Sequence, residues 1–283
     1  VGGKDHFRAA QVRIQGNLTV RDLLRNWDGV SRRIARARKV FFFFDFDGTL
    51  APIAPLPGLV VCGERVRESL RKLSGNKRYV VGIISGRGLA DVRRMVGIDG
   101  ILYAGNHGFE VSGPGIAYVN PAAIASRKIM EEVACALGRE LEKTAGAFVE
   151  DKIYSLSIHY RRCAADGFSR VKDIVDRVTA GYRAGRQIRV TSGKKVLEIR
   201  PHADWHKGRI VEWLMDNCAK GPRGDVLVWY AGDDLTDEDA FKAVNDMGGI
   251  TVLAGRRRAA SAAEYVIASQ EDITALLAKL EAI

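Results

Sequence analysis

Asp45 and Asp47 stand one residue apart in the stretch VFFFFDFDGTL, residues 40–50, directly behind five apolar residues. Further along, Ser85 follows the apolar run Tyr79 to Ile84, Asp233 and Asp234 follow the run Val226 to Ala231, and Lys207 opens a helical stretch. An apolar run this short, closed by a turn signal, has the form of a strand buried on both faces of a parallel sheet. Such runs hand their polar residues to one sheet edge, the carboxyl edge, where open α/β sheets bind ligands. Three or four carboxylates gathered there repel one another unless a cation sits among them, and hard oxygen donors suit Mg²⁺ better than zinc. A cation, a lysine, a hydroxyl at a helix N-terminus and a free carboxylate together meet the needs of phosphoryl transfer. They compensate the phosphate's charge, position it and present an in-line nucleophile.

The elements that must hold these residues can be taken in chain order. Thr19 to Lys39 is predicted as a helix with Thr19 as N-cap and an apolar stripe of Leu23, Leu24, Trp27, Val30 and Ile34. After the first buried strand, APIAPLPGL carries three of the seven prolines and predicts a stiff, extended connection near the mouth of the site. A helix from Glu64 to Leu73 and the strand Tyr79 to Ile84 follow, and a second helix is expected to open at Ser85-Gly86-Arg87. The strand Ile101 to Ala104 runs into Gly105-Asn106-His107-Gly108-Phe109-Glu110, a tight turn that brings polar side chains to an edge.

From about residue 111 the texture changes. A helix from Pro121 to Thr144 and another from Ser169 to Tyr182 are interleaved with short strands at 148–152, 154–160, 188–191 and 195–200, joined by hairpin-like turns such as Ser192-Gly193-Lys194. The α/β pattern then resumes, with a helix from Lys207, the strand Val226 to Ala231, Thr236 as N-cap of the next helix, the strand Ile250 to Leu253 and a helical C-terminus. The expectation is an α/β protein: a Rossmann-like parallel-sheet core over 40–111 and 201–283, an inserted α+β cap domain over 112–200, and an extra N-terminal helical extension over 1–39.

Composition narrows the partners. A chain of 283 residues, 47% hydrophobic and 28% charged, is that of an ordinary globular protein, and no run approaches the ~20 apolar residues of a membrane span. With no signal-peptide core at the start, a cytoplasmic location and no membrane association are expected. The cysteines, Cys62, Cys135, Cys163 and Cys218, form no Cys-x-x-Cys pair and are expected to be free thiols. The net charge of +10 suits either nucleic acid or a cleft that concentrates small phosphate dianions. The arginines are dispersed, with no basic stripe interleaved with aromatics, so no nucleic-acid partner is expected.

The order DFDGTL, ISGR, a Lys-Gly pair and GDDLTDEDAF resembles the haloacid-dehalogenase-like phosphohydrolases. More closely, with YAGNHGFE at 103–110, VEDKIYSLSIHYR at 149–161 and KKVLEIRP at 194–201, it resembles the trehalose-6-phosphate phosphatases with a type IIB cap. The resemblance implies a Mg²⁺-dependent hydrolysis of trehalose 6-phosphate in which Asp45 takes the phosphoryl group and Asp47 protonates the leaving oxygen and then activates water. Mg²⁺ would be held by Asp45, the Asp47 carbonyl and Asp233, with Asp234 behind them, while Ser85 and Lys207 would hold phosphate oxygens. Arg87, His107, Glu150, Lys152, His159, Arg161, Glu198 and Arg200 are the implied substrate-binding positions.

The lysine motif departs from the usual Asp-Lys-Gly or Asn-Lys-Gly: here it is His206-Lys207-Gly208. His202 and His206, four apart with no third ligand, are loop histidines on this reading. The implied partners are a small sugar phosphate and, as a candidate, a trehalose-6-phosphate synthase, and a monomer is expected. The rival substrates are sucrose phosphate and mannosyl-phosphoglycerate, and the rival class is a non-catalytic basic nucleic-acid-binding or regulatory protein on the same fold.

Overall fold

The computed structural model describes residues 20–164, 166–219, 225–255, 260–269 and 271–283. The first part of the chain runs β1 (Arg21–Asp22), α1 (Trp27–Arg36), β2 (Lys39–Phe44), α2 (Glu64–Gly75), β3 (Tyr79–Ile84), α3 (Leu89–Val96) and β4 (Leu102–Gly105). Then come β5 (Glu110–Gly113), β6 (Ile116–Val119), α4 (Pro121–Leu141), β7 (Phe148–Asp151), β8 (Leu156–His159), α5 (Gly167–Ala184), β9 (Ile188–Gly193) and β10 (Val196–Pro201). The last part holds α6 (Lys207–Cys218), β11 (Val226–Gly232), α7 (Glu238–Asp246), β12 (Ile250–Ala254), β13 (Tyr265–Ile267) and α8 (Glu271–Glu281).

Nine strands form one sheet in the order β1-β13-β12-β11-β2-β3-β4-β5-β6. The strands from β1 to β4 are parallel, and β5 and β6 continue the sheet antiparallel. Strand order reverses around β2: β3 and β4 extend one way, β11, β12 and β13 the other. That is the switch point at which α/β sheets open a crevice beyond the carboxyl ends of their strands. Pairing of Phe44 with Ala231 on one side and Ile83 on the other brings the ends of β2, β11 and β3 level.

β2 is buried on both faces, as its sequence predicts. Phe42 and Phe44 pack with Val30, Ile34, Leu70, Val92 and Leu276, whereas Phe41 and Phe43 pack with Ile210, Leu214 and Phe241. Helices α1, α2, α3 and α8 therefore cover one face, and α6 and α7 the other. All four phenylalanines are fully buried, and each contributes up to ~3 kcal/mol, an upper value because the unfolded chain already shelters some apolar surface.

Strands β7, β8, β10 and β9 form a separate antiparallel sheet in that order. One face packs on α4 and α5 through Leu156, Ile158, Ile188, Leu197 and Ile199 against Met130, Val133, Val171 and Val175. Because side chains alternate along a strand, the residues between these, among them Glu150, Ser157, Thr191 and Glu198, fall on the opposite face, and register pairs Glu198 with both Ser157 and Thr191.

Three local expectations change. Residues 112–119, placed with the insertion on texture, belong to the large sheet through β4–β5 pairing; a polar alternating hairpin looks the same in either sheet. The N-terminal helix starts at Trp27, behind a two-residue strand and a 3₁₀ turn over Leu24–Asn26, and the expected cap Thr19 lies outside the described residues. Helix α3 starts at Leu89 rather than at Ser85, because Gly88 is still extended. Among the described residues no helix is long and apolar enough to cross a membrane, and all four cysteines are free.

Candidate active site

Asp45 leaves β2 with its amide donating to the Ala231 carbonyl at 2.8 Å, so the main chain fixes its carboxylate against the end of β11. Lys207, first residue of α6 and 3% exposed, donates to Asp45 Oδ1 at 2.6 Å and to Asp237 Oδ1 at 2.7 Å. Oxygens of Asp45, Asp233 and Asp237 all lie within 4.8 Å of one another. Burial pushes the Asp45 carboxyl well above the usual range; Lys207 opposes this, and Asp237, Asp233 and Asp234 add to it. Lys207 is held protonated, since Asp237 and Asp45 outweigh the burial that disfavours its charge.

Asp237 was not singled out by sequence, yet both of its oxygens are engaged. Its Oδ2 accepts the amides of Asp233 and Asp234 at 3.0 Å each, and its Oδ1 accepts Lys207 and the Tyr230 hydroxyl at 2.7 Å each. With four donors on two oxygens it is a positioning group, which leaves Asp45 and Asp233 to face a cation. Asp234 is engaged by the turn that follows it. Its Oδ1 accepts the amide and hydroxyl of Thr236, so Asp234, not Thr236, caps the 3₁₀ turn Leu235–Asp237 that precedes α7. The Asp234 carboxyl is lowered to about 2: burial works against this, and Lys207 with the Thr236 bonds prevails.

The donor set fits a hard divalent cation. Asp45 and Asp233 are buried oxygen donors, and burial, partly offset by Lys194 and increased by Asp237 and Asp234, raises the Asp233 carboxyl to about 6. A cation between the two carboxylates relieves that cost and favours their ionised forms. Gly48, at φ +92°, closes the loop after Asp47 in the left-handed region. A Cβ there would lie 2.3 Å from Asp233 Oδ2, so glycine is what lets the loop approach this carboxylate.

Asp47 is gripped by Arg87, whose Nε and Nη2 donate to its two oxygens at 2.7 Å each. The same guanidinium reaches Asp91 at 2.9 Å and the Pro57 carbonyl at 3.1 Å, so its donors are directed to the protein. Ser85, almost fully buried, accepts the Arg87 amide at 3.1 Å on its hydroxyl. Arg87 and Ser85, expected at substrate and phosphate, thus hold each other and Asp47 in this conformation.

The polar face of the smaller sheet completes a cleft of about 450 Å³. Asp45, Asp47, Arg87, His107, Lys207 and Asp234 line it from the large sheet, and Glu150, Lys152, His159, Arg161, Glu198 and Arg200 from the smaller one; Ser85 and Asp233 are buried beside it. His159 meets Glu150 at 2.7 Å and stacks on Phe148, and Arg161 donates to the Lys194 carbonyl at 2.7 Å. Lys152 donates to the Gly86 carbonyl at 2.9 Å, and Arg200 pairs with Glu198. Burial, with Arg200 beside it, lowers His107 to about 4, so it meets Glu198 at 3.3 Å as a neutral ring. Burial opposes ionisation of Glu198; the His107 ring bonded to it, with Arg200 and Lys152, holds its carboxyl well below the usual range.

Two further features complete the site, the turn expected at 105–110 and a contact with no sequence signal. Asn106 and His107 both take left-handed backbone (φ 50° and 56°), held by Asn106 bonding Glu110, the Lys152 carbonyl and Ser155. Such strain persists only where the surroundings over-determine it. Lys194, at the tip of the β9–β10 hairpin, donates to Asp233 Oδ2 at 2.7 Å across the cleft.

Residues 43–270 match the family model described as trehalose-phosphatase. A trehalose-phosphate phosphatase of Mycobacterium tuberculosis is 39% identical over 216 residues, covering 75% of this chain and 53% of the relative. Trehalose 6-phosphate phosphatase RA3 of Zea mays is 34% identical over 260 residues, covering 87% and 71%. The chain thus spans about half the length of the mycobacterial relatives it matches. The solved C-terminal domain of Candida albicans trehalose-6-phosphate phosphatase superimposes with a TM-score of 0.80 at 25% identity, over 95% of this chain and all of that one. With a matched span that contains every carboxylate and lysine of the cleft described above, the chain belongs to the trehalose-phosphatase family.

Proposed function

We propose that the chain is a Mg²⁺-dependent phosphatase that converts trehalose 6-phosphate to trehalose and inorganic phosphate through an aspartyl phosphate on Asp45. The observation that carries this reading is the buried Asp45, held at a switch-point crevice by Lys207 and facing Asp233. Asp45 attacks phosphorus in line as the bond to the sugar oxygen breaks. Asp47, which lines the same cleft two residues on, gives a proton to the departing oxygen and takes one from the water that then cleaves the acyl phosphate. Before donating, Asp47 must free an oxygen from Arg87, which otherwise fixes its orientation. Lys207 supplies fixed positive charge at the attacking carboxylate. Asp45, Asp233 and the Asp47 carbonyl would hold Mg²⁺, which would supply charge compensation for the phosphoryl oxygens when bound.

The four-stranded unit acts as the cap. Its polar face offers Glu150 and Glu198 to sugar hydroxyls and Lys152, Arg161 and Arg200 to anionic or hydroxyl oxygens. In the present geometry Glu198 is occupied by His107 and Arg200, so a disaccharide must exchange partners there as it enters. A phosphate-release panel over trehalose 6-phosphate, sucrose phosphate, mannosyl-phosphoglycerate and glucose 6-phosphate tests the assignment. Trehalose 6-phosphate is expected to exceed the others by at least about tenfold in kcat/KM, roughly the discrimination of one or two well-placed polar contacts. Comparable rates on all four would reject it.

The cation is tested through its linkage to protons. Asp233, raised from 3.8 to about 6, keeps a proton between those values that the unfolded chain has released, so its own contribution to stability falls as pH rises through that window. His107, lowered from 6.5 to about 4, acts in the opposite sense over nearly the same range, and the two offset each other. Mg²⁺ competes with a proton on Asp233 and on Asp45, whose carboxyl burial also raises, and not with one on His107. The rise in melting temperature produced by Mg²⁺ is therefore expected to be small at pH 4.5 and to grow as pH passes about 6, with at least roughly tenfold loss of affinity per pH unit below it, since Asp45 adds to the effect of Asp233. A pH-independent increment would place the cation elsewhere.

A further inference from the structure

We infer that Lys194 is a charged latch that competes with the divalent cation for Asp233, so that cation binding releases the β9–β10 hairpin from the mouth of the cleft. This rests on the reading that the cation sits against Asp45 and Asp233. Lys194 donates to Asp233 Oδ2 at 2.7 Å, and its side chain is half exposed while that of Asp233 is only 10% exposed. An ammonium ion is thus laid from the smaller sheet onto a carboxylate at the end of β11.

The hairpin is built to hold it there. Arg161, just past β8, donates to the Lys194 carbonyl, and Lys195 takes the left-handed backbone (φ 67°) that turns the chain straight back into β10. The contacts of Lys152, Ser155 and Glu198 with Gly86, Asn106 and His107 lie on the other side of the cleft, at the ends of β3 and β4, among largely buried side chains. Lys194 ties the two units at the β11 side, where the partner is half in solvent.

Asp233 cannot serve both charges equally. Mg²⁺ needs oxygen ligands at ~2.0–2.1 Å in near-octahedral order, and an ammonium ion on the same carboxylate would stand within a few ångströms of it. Nor can the carboxylate swing far aside, because the backbone at Gly48 is packed against it. Cation binding therefore expels the Lys194 ammonium, frees the hairpin tip and leaves a positive charge at the mouth as an anionic substrate arrives. The order it imposes is cation first, anion second.

The test uses the whole chain without substrate. Mn²⁺ is titrated against the free-ion electron paramagnetic resonance signal for the wild type, Lys194→Gln, Lys194→Arg and Lys195→Gln, and hydrogen exchange over residues 188–196 is followed with and without Mg²⁺. Lys194→Gln is expected to bind Mn²⁺ about three- to tenfold more tightly, as suits loss of a half-exposed competitor, while Lys194→Arg and Lys195→Gln stay near wild type. Hairpin exchange is expected to accelerate with Mg²⁺ in the wild type and to be fast throughout in Lys194→Gln. Equal affinity in Lys194→Gln and wild type, an equal gain in Lys195→Gln, or hairpin exchange indifferent to Mg²⁺ would each overturn the latch. Absence of Mn²⁺ binding in every form, the wild type included, would instead overturn the cation site on which the latch rests.

Discussion

Asp45→Asn is expected to lower turnover of trehalose 6-phosphate by about a thousandfold or more while leaving the protein folded. Asparagine has nearly the same shape, but its amide cannot form the acyl phosphate, and loss of a nucleophile removes the covalent route altogether. Stability should stay constant or rise. Asp45 is 5% exposed, and burial together with three neighbouring carboxylates makes its charge costly, so the variant loses an expensive charge. Lys207 keeps Asp237 as partner in the variant. Phosphate release under single-turnover conditions and the melting temperature decide the matter together. Full activity would remove Asp45 from the mechanism, whereas inactivity with a collapsed fold would show a structural role in its place. A catalytic group held at a cost to stability is the usual trade at an active site.

Asp237→Ala should show the opposite pattern, with a loss of about 3–5 kcal/mol in the free energy of unfolding, read from the urea midpoint. The carboxylate is fully buried and satisfies two amides, an ammonium and a phenol hydroxyl, so its removal strands the amides and the hydroxyl and leaves Lys207 with Asp45 alone. Asp237→Asn should lose less, since one oxygen still accepts, although its amide nitrogen must face a donor. Both should also impair turnover, because Asp237 shapes the turn that carries Asp233 and shares Lys207 with Asp45. A near-neutral Asp237→Ala would mean that water replaces the carboxylate at this point.

Much of this arrangement was legible in the sequence. A strand buried on both faces leaves a short apolar run that periodicity cannot mistake for a long helix, and Tyr79–Ile84 was read with its observed bounds. Asp45, Asp47 and Lys207 follow from where such runs and the α6 start fall. Asp237 was missed because GDDLTDED offers five carboxylates in eight residues, and a single 3₁₀ turn decides which one points inward. Helical spacing carries no record of that turn. Lys194 was missed for a different reason: its partner lies 39 residues away in another sheet, and a lysine in a hairpin tip has the ordinary form of a solvated turn. Strands β1 and β13, two and three residues long, fall below any useful window, and their pairing is a product of the completed sheet.

The period-two face of the smaller sheet separates what must be kept from what can be changed. Leu156, Ile158, Leu197 and Ile199 close that unit's core, while Ser157, Glu198 and Thr191 alternate with them or lie across from them in register. On the proposed function, a substitution at exposed Thr191 alters the surface offered to a sugar without entering the core on the other face, whereas Ser157 is buried and Glu198 compensates buried cations; the proposed nucleophile stands on a different sheet. If the proposed function holds, descendants of such a chain can drift toward other phosphorylated sugars by single steps at the exposed positions of that face, with the large-sheet carboxylates and Lys207 inherited intact.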